Sequence, residues 1–307
     1  MSDAVASPRQ DNVGRGILLA LAAILIFSTQ DATSKFLVQS VSPFQMTMMR
    51  FWAFAAFSLI LAWRAGGLRD ALKSRQPVMQ VARGALLVGD IWMYVIALST
   101  VPLAAVQSIT LVYPLLVTLF AVPFLGEKVG IFRISAVIVG FLGALVIVRP
   151  GGVPLSWGVL FAVGSGACYG LYIVLTRRVS QTDSNTTSMV YVGIVGLVMS
   201  SAVGIFFWQP LDLTSALLVG YIMLTGVVGH GMMIVALSMA PASVLQPFNY
   251  TSLPWSIVFS YVVFHDLIDP VSLLGAAVIV GAGLVVMARE RIRGFPAKAE
   301  PSLPGKE

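Results

Sequence analysis

Two ionisable residues stand in stretches too apolar to hold a charge at no cost. Asp90 lies in "VGDIWMYVIALSTVP", residues 88–102, and His230 in "VGHGMMIVALSMAP", residues 228–241. The two stretches say nearly the same thing about 140 residues apart. A carboxylate at mid-bilayer costs about 2.5 kcal/mol or more unless it faces water or a partner. An imidazole is the one side chain that titrates near neutrality without a large shift. Each group could line a polar cavity, meet a substrate or carry a proton; each could also be hydrogen-bonded for packing alone.

Other residues join these two by helical spacing. Arg83, Leu86, Asp90, Tyr94 and Ala97 fall on one face of a helix. Gln107, Thr110 and Pro114 share another, and Gln246, Asn249 and Tyr250 a third, with Pro254 following. Tyr113, Tyr169, Tyr172 and Trp255 stand within apolar runs rather than at their ends, where they could enclose an organic solute. Trp63 and Trp208, at run ends, fit an interfacial belt. A proline inside a span frees the carbonyl four residues earlier, so Pro114 and Pro254 are candidate hinges. Asp31 and Lys35, spaced i to i+4, form with Arg50 an expected ion-pair cluster and gate at one end.

The elements that carry these residues must cross a membrane. The chain of 307 residues is 58% apolar and 10% charged, with a mean hydropathy of +0.91. Runs long enough to span about 30 Å of hydrocarbon predict ten transmembrane helices, near 14–36, 43–63, 78–98, 103–125, 132–148, 155–176, 187–208, 214–238, 242–264 and 271–288. Of the 19 basic residues, all but Lys35, Arg50 and Arg149 fall on one side if the chain begins in the cytoplasm. The excess of Lys and Arg in cytoplasmic segments therefore predicts cytoplasmic N- and C-termini. It also explains the net charge of +6 without nucleic acid. The first twelve residues include Asp3 and Asp11, unlike a signal peptide, so the first span is expected to remain as an anchor. Cys168 is the only cysteine, which excludes an intramolecular disulfide or a thiolate metal cluster. No GxxxxGK[ST], HExxH or GxSxG motif is present. Neither ATP drive nor enzyme activity is expected, and no cofactor.

The echo extends along the chain. "ALSTVP" pairs with "ALSMAP", Gln107 with Gln246 and Pro114 with Pro254, at offsets of 139 to 141. The halves run over 14–149 and 155–289, between tails 1–13 and 290–307. Five spans in each half reverse the second one in the membrane, which makes an inverted repeat. The basic "GEKVGIFR" and its acidic counterpart "HDLIDPVS" carry opposite charge, as opposite sides require. Inverted repeats can exchange shapes and expose a central site to each side in turn.

Several stretches together resemble a known family. They are the polar end of the first span closing on Lys35, "SPFQMTMMRF" with Pro43 and Arg50, the run "ALSTVPLAAVQSITLVYPLLVTLFAVPFLGEKV" ending in Gly126 and Glu127, and "VGFLGALVIV". Across residues 14–289 the chain resembles the drug/metabolite transporter superfamily, in its ten-helix form with two EamA-type halves. Within it the chain looks most like YddG-type exporters of aromatic and other amino acids. Phe27 and Ser28 stand where many members carry Trp-Gly, and His265 and Asp266 replace the second Gly-Glu pair. The resemblance implies a protein of the bacterial inner membrane that exports amino acids or similar small metabolites by alternating access; a monomer is expected, with an oligomer left open. The alternatives are a permease for nucleosides or cations, a channel, a scaffold or an intramembrane enzyme.

Overall fold

The computed structural model describes residues 10–126, 131–149, 153–239 and 245–293. The chain ends, Glu127 and the side chain of Gln246 lie outside the described residues. Everything described is helix, turn or loop. The helices are α1 Gln10–Leu37, α2 Pro43–Arg64, the short α3 Leu68–Ala71, α4 Pro77–Thr100, α5 Leu103–Thr110, α6 Tyr113–Leu125 and α7 Ile131–Ile147. They continue with α8 Trp157–Val179, α9 Asn185–Gly204, α10 Leu213–Met239, a 3₁₀ segment Gln246–Thr251, α11 Ser252–Phe264 and α12 Pro270–Arg293. Seven stretches among the described residues are long and apolar enough to cross a membrane, and two shorter apolar helices, Ile134–Ile147 and Pro270–Val286, accompany them.

Local chemistry explains where these helices start. Pro43 and Pro77 open α2 and α4, where the missing N–H removes no helical bond. Ser156 and Ser184 cap α8 and α9, accepting from the backbone N–H of Val159 at 3.4 Å and Thr187 at 3.0 Å. α1 begins at Gln10, ahead of the expected boundary at 14.

Two expected spans are broken rather than continuous. α5 stops at Thr110 and α6 starts at Tyr113, with Pro114 in its first turn. Proline thus begins a helix here instead of kinking one. The Thr110 carbonyl, which Pro114 cannot bond, faces Gly166 of α8: a Cβ on that glycine would lie 3.2 Å from the oxygen. The ninth span runs as 3₁₀ through Thr251 and becomes α-helical at Ser252. α6 ends on Gly126 at φ +67° and α11 on His265 at φ +56°, both left-handed and 139 residues apart. The repeat position keeps its backbone turn even where glycine is gone.

The packing obeys the repeat. α4 lies on α8 as α10 lies on α1; α2 pairs with α9 and α7 with α12; α4 meets α9 as α10 meets α2; and α5 with α6 meets α8 as α11 meets α1. Shifting by one repeat exchanges these pairs or maps them onto themselves. The fold is an all-helical membrane bundle of two five-span halves in opposite orientation. α7 and α12 cross at a pair of glycines: a Cβ on Gly143 would be 2.8 Å from the Gly275 carbonyl, and one on Gly275 2.6 Å from that of Gly143.

Polar ties fasten each end. On one, Gln45 Nε2 donates to the Gln209 carbonyl at 2.8 Å while Gln45 Oε1 accepts from the Gln209 N–H at 3.1 Å, and Arg149 pairs with Asp269 at 2.7 Å. Bonds from Ser272, together with Arg149, hold the Asp269 carboxyl well below the usual range. On the other end, Asp183 accepts from Ser74, from Gln80 Nε2 at 2.8 Å and from the Arg75 N–H at 2.9 Å. Partial burial pushes that carboxyl up, and these bonds outweigh it and hold it low.

Candidate functional site

α1, α2, α4, α5 and the start of α6 from one half and α8, α10, the 3₁₀ segment and α11 from the other line a cavity of about 250 Å³. Its wall holds Asp31, Arg50, Asp90, Tyr94, Gln107, Tyr113, Tyr169, His230 and Asn249. These expected residues, spread over seven segments of sequence, meet around one space.

Arg50 of α2 shares the cavity with two carboxyls, Asp31 of α1 and Asp90 of α4. Ser165 of α8 donates to Asp90 Oδ1 at 2.6 Å. His230 does not bond Asp90; its ring lies 5.1 Å from Phe27 and 5.2 Å from Phe54, centroid to centroid. The two repeat-related ionisable residues share the cavity, one held by a hydroxyl and the other between aromatic rings.

A relay of neutral groups crosses between the halves. The Tyr94 hydroxyl donates to Gln107 Oε1 at 2.9 Å, and Gln107 Nε2 donates to Ser252 Oγ at 2.8 Å. Tyr113 meets Tyr169 edge to face at 4.8 Å, leaving two phenol rings against the same space.

Four expected residues stand elsewhere. Tyr172 stacks on Tyr169 at 5.8 Å and takes the Arg83 guanidinium over its ring at 5.5 Å, and neither Tyr172 nor Arg83 lines the cavity. Tyr250 is buried in the apolar core, its hydroxyl against Gly283 of α12. Trp255 is 38% exposed and stacks on Phe259, on the outer surface of the bundle. Lys35 makes no cluster with Asp31 and Arg50. Its Nζ donates to the carbonyls of Val101 at 2.9 Å and Leu98 at 3.3 Å, capping the end of α4.

The cavity also contains residues that spacing did not mark as binding groups: Phe27, Ser28, Gln30, Phe51, Phe54 and Ser252. Phe27 and Ser28 carried a signal, as the departure from Trp-Gly. Among the described residues no cluster of His, Cys, Asp and Glu could hold a metal.

The model of the EamA-like transporter family matches residues 14–149 and 156–288, one copy in each half. The chain belongs to the EamA-like transporter family. An S-adenosylmethionine uptake transporter of Rickettsia bellii is 25% identical over 90% of this chain and 94% of its own. A riboflavin transporter of Rhizobium johnstonii is 26% identical over 91% and 92%, and another of Vibrio cholerae is 27% identical over 87% and 90%. A solved crystal structure covers 92% of this chain and 99% of its own, with a TM-score of 0.63 and 22% identity, and shares the fold. The protein is thus a multi-pass membrane transporter of the drug/metabolite superfamily. The expected specialisation in amino-acid export finds no support among these relatives, which are named for S-adenosylmethionine and riboflavin.

Proposed function

We propose that this EamA-like transporter moves a metabolite that joins an amino-acid head group to an aromatic or heteroaromatic ring, in the class of S-adenosylmethionine. One observation supports this above the others: Asp31, Arg50 and Asp90 stand in the same cavity as Tyr113 and Tyr169. A carboxylate suits the guanidinium, an ammonium or sulfonium suits the two carboxyls, and a flat ring suits the phenol faces. Four uptake transporters from Rickettsia species carry the S-adenosylmethionine name. Aromatic amino acids meet the same two demands and are the second reading, with export as their direction.

The solute crosses by alternating access between the two halves, with Pro114 and Pro254 beside the breaks that let spans four and nine bend. The bias of Lys and Arg supports cytoplasmic termini, an orientation that puts Lys35 and Arg149 on the outer side. Flux of labelled S-adenosylmethionine, riboflavin and tryptophan in proteoliposomes, with and without an imposed pH gradient, tests substrate and energy source together. Saturable exchange of S-adenosylmethionine is expected. Exchange of riboflavin alone, or of none of the three, overturns the proposed class.

A further inference from the structure

We propose that Gln30 of α1 determines specificity, by reading a hydrogen-bond donor on the edge of the transported ring. The inference rests on the solute class proposed above. Gln30 lines the cavity and is 1% exposed. Its Nε2 donates to Thr225 Oγ1 of α10 at 3.0 Å. The orientation of the amide is fixed, because the Thr225 hydroxyl spends its own proton on the Tyr221 carbonyl at 2.6 Å and can only accept from Gln30. The neighbouring turn is pinned as well. Thr29 Oγ1 gives its proton to the Ile26 carbonyl at 2.6 Å, so the Tyr221 hydroxyl, also at 2.6 Å, donates to it. α1 and α10 thus hold the Gln30 amide in one pose.

That pose leaves Gln30 Oε1 buried with no partner. Other neutral groups of the wall are committed. Ser28 donates to the Ile24 carbonyl at 2.9 Å, Thr110 to that of Val106 at 2.8 Å, and Ser252 to that of Asn249 at 2.7 Å. Tyr94 and Gln107 serve each other and Ser252. Among the described residues, Gln30 Oε1 is the one buried atom without a bond whose residue lines the cavity. In this conformation the oxygen is closed off even from the cavity, so a solute N–H or O–H can satisfy it only as the wall around Gln30 opens during transport. The amine of an adenine ring and the imide N–H of a flavin carry such a donor on the ring edge; a phenyl ring carries none. A site built to bond such a group rejects the analogue that lacks it far better than an apolar wall does.

The test compares uptake of labelled S-adenosylmethionine with its analogue bearing purine in place of adenine, so that only the ring amine is removed. In the unaltered protein the analogue is expected to show a KM about tenfold to a hundredfold higher. In Gln30→Leu the KM for S-adenosylmethionine should rise to meet that of the analogue, which itself should hardly move. Thr225→Val, which frees the amide but keeps the oxygen, should narrow the gap partway and guards against a Gln30→Leu protein that does not fold. Equal loss for both solutes in both variants means that Gln30 serves packing, and overturns the inference while leaving the solute class intact. No uptake of S-adenosylmethionine by the unaltered protein removes the solute class. The same comparison then runs on riboflavin and its N3-methyl derivative, and absence of discrimination there overturns the inference.

Discussion

The α5–α6 break and the break ahead of α11 occupy repeat-related positions, yet different contacts receive them. At the first, two glycines of α8 meet backbone: Gly166 faces the Thr110 carbonyl, and Gly170 the Tyr113 carbonyl at 3.4 Å from an added Cβ. At the second, Gly283 of α12 meets a side chain, the Tyr250 phenol. An added methyl needs only a slight shift at Gly166, 3.2 Å from the carbonyl, whereas at Gly283 it would overlap the Tyr250 hydroxyl, on a side chain buried in the core. The second break is therefore the more tightly filled of the two. The cavity residues differ as well: Asp90 is gripped by the Ser165 hydroxyl, whereas His230 rests between two rings.

Removing the gripped group should have the largest effect. Asp90→Asn is expected to lower the initial rate of transport by about tenfold to a hundredfold, the loss of a charged interaction, while the protein stays monodisperse in detergent. His230→Gln should cost only a few-fold. Comparable losses from the two, or full transport by Asp90→Asn across pH, would end the contrast.

The glycines test the walls directly. Gly283→Ala should destabilise the fold by about 3 kcal/mol, since a buried phenol must be displaced, and Gly166→Ala by about 1 kcal/mol, since the neighbouring backbone need give only slightly. Thermal melting in detergent ranks them, and the reverse order would make the first break the tighter one.

A smaller effect concerns the left-handed exits. His265→Gly should stabilise by about 1 kcal/mol and Gly126→Ala should destabilise by a similar amount, because an L side chain is disfavoured at that φ. The same melts read both changes.

The smallest effect is electrostatic and lies outside the membrane. The folded state holds Asp269 below its unfolded titration, so its contribution is complete above about pH 4 and fades as the pH falls further. Asp269→Asn should therefore lower the melting temperature at pH 7 and make progressively less difference as the pH drops below 4. A deficit that does not shrink would assign the loss to packing.

Much of this architecture was legible because hydrocarbon thickness sets span length and the echo sets the repeat. Asp90, His230, Gln107 and Tyr169 were found because polar and aromatic groups deep in apolar runs are conspicuous. Other placements depended on facts no local pattern holds. A spacing of 3.6 groups Tyr250 with Asn249, but a 3₁₀ segment turns each residue further, which directs Tyr250 into the core. Spacing also pairs Lys35 with Asp31, whereas the carbonyls at the end of α4, distant in sequence, attract the ammonium instead. Gln30 passed unnoticed because a neutral amide beside a carboxylate draws little attention, and its importance comes from what Thr225 does with a proton.

The crossing of Gly143 and Gly275 has a mechanical consequence. Where two helices touch carbonyl to α-carbon from both sides, neither can slide along the other without a backbone collision, but each can tilt. Any tilt of one half against the other would then pivot at the α7–α12 contact. A rotation of a few degrees about it, scarcely felt at the glycines, grows with distance along the helices and is largest at the two mouths of the bundle.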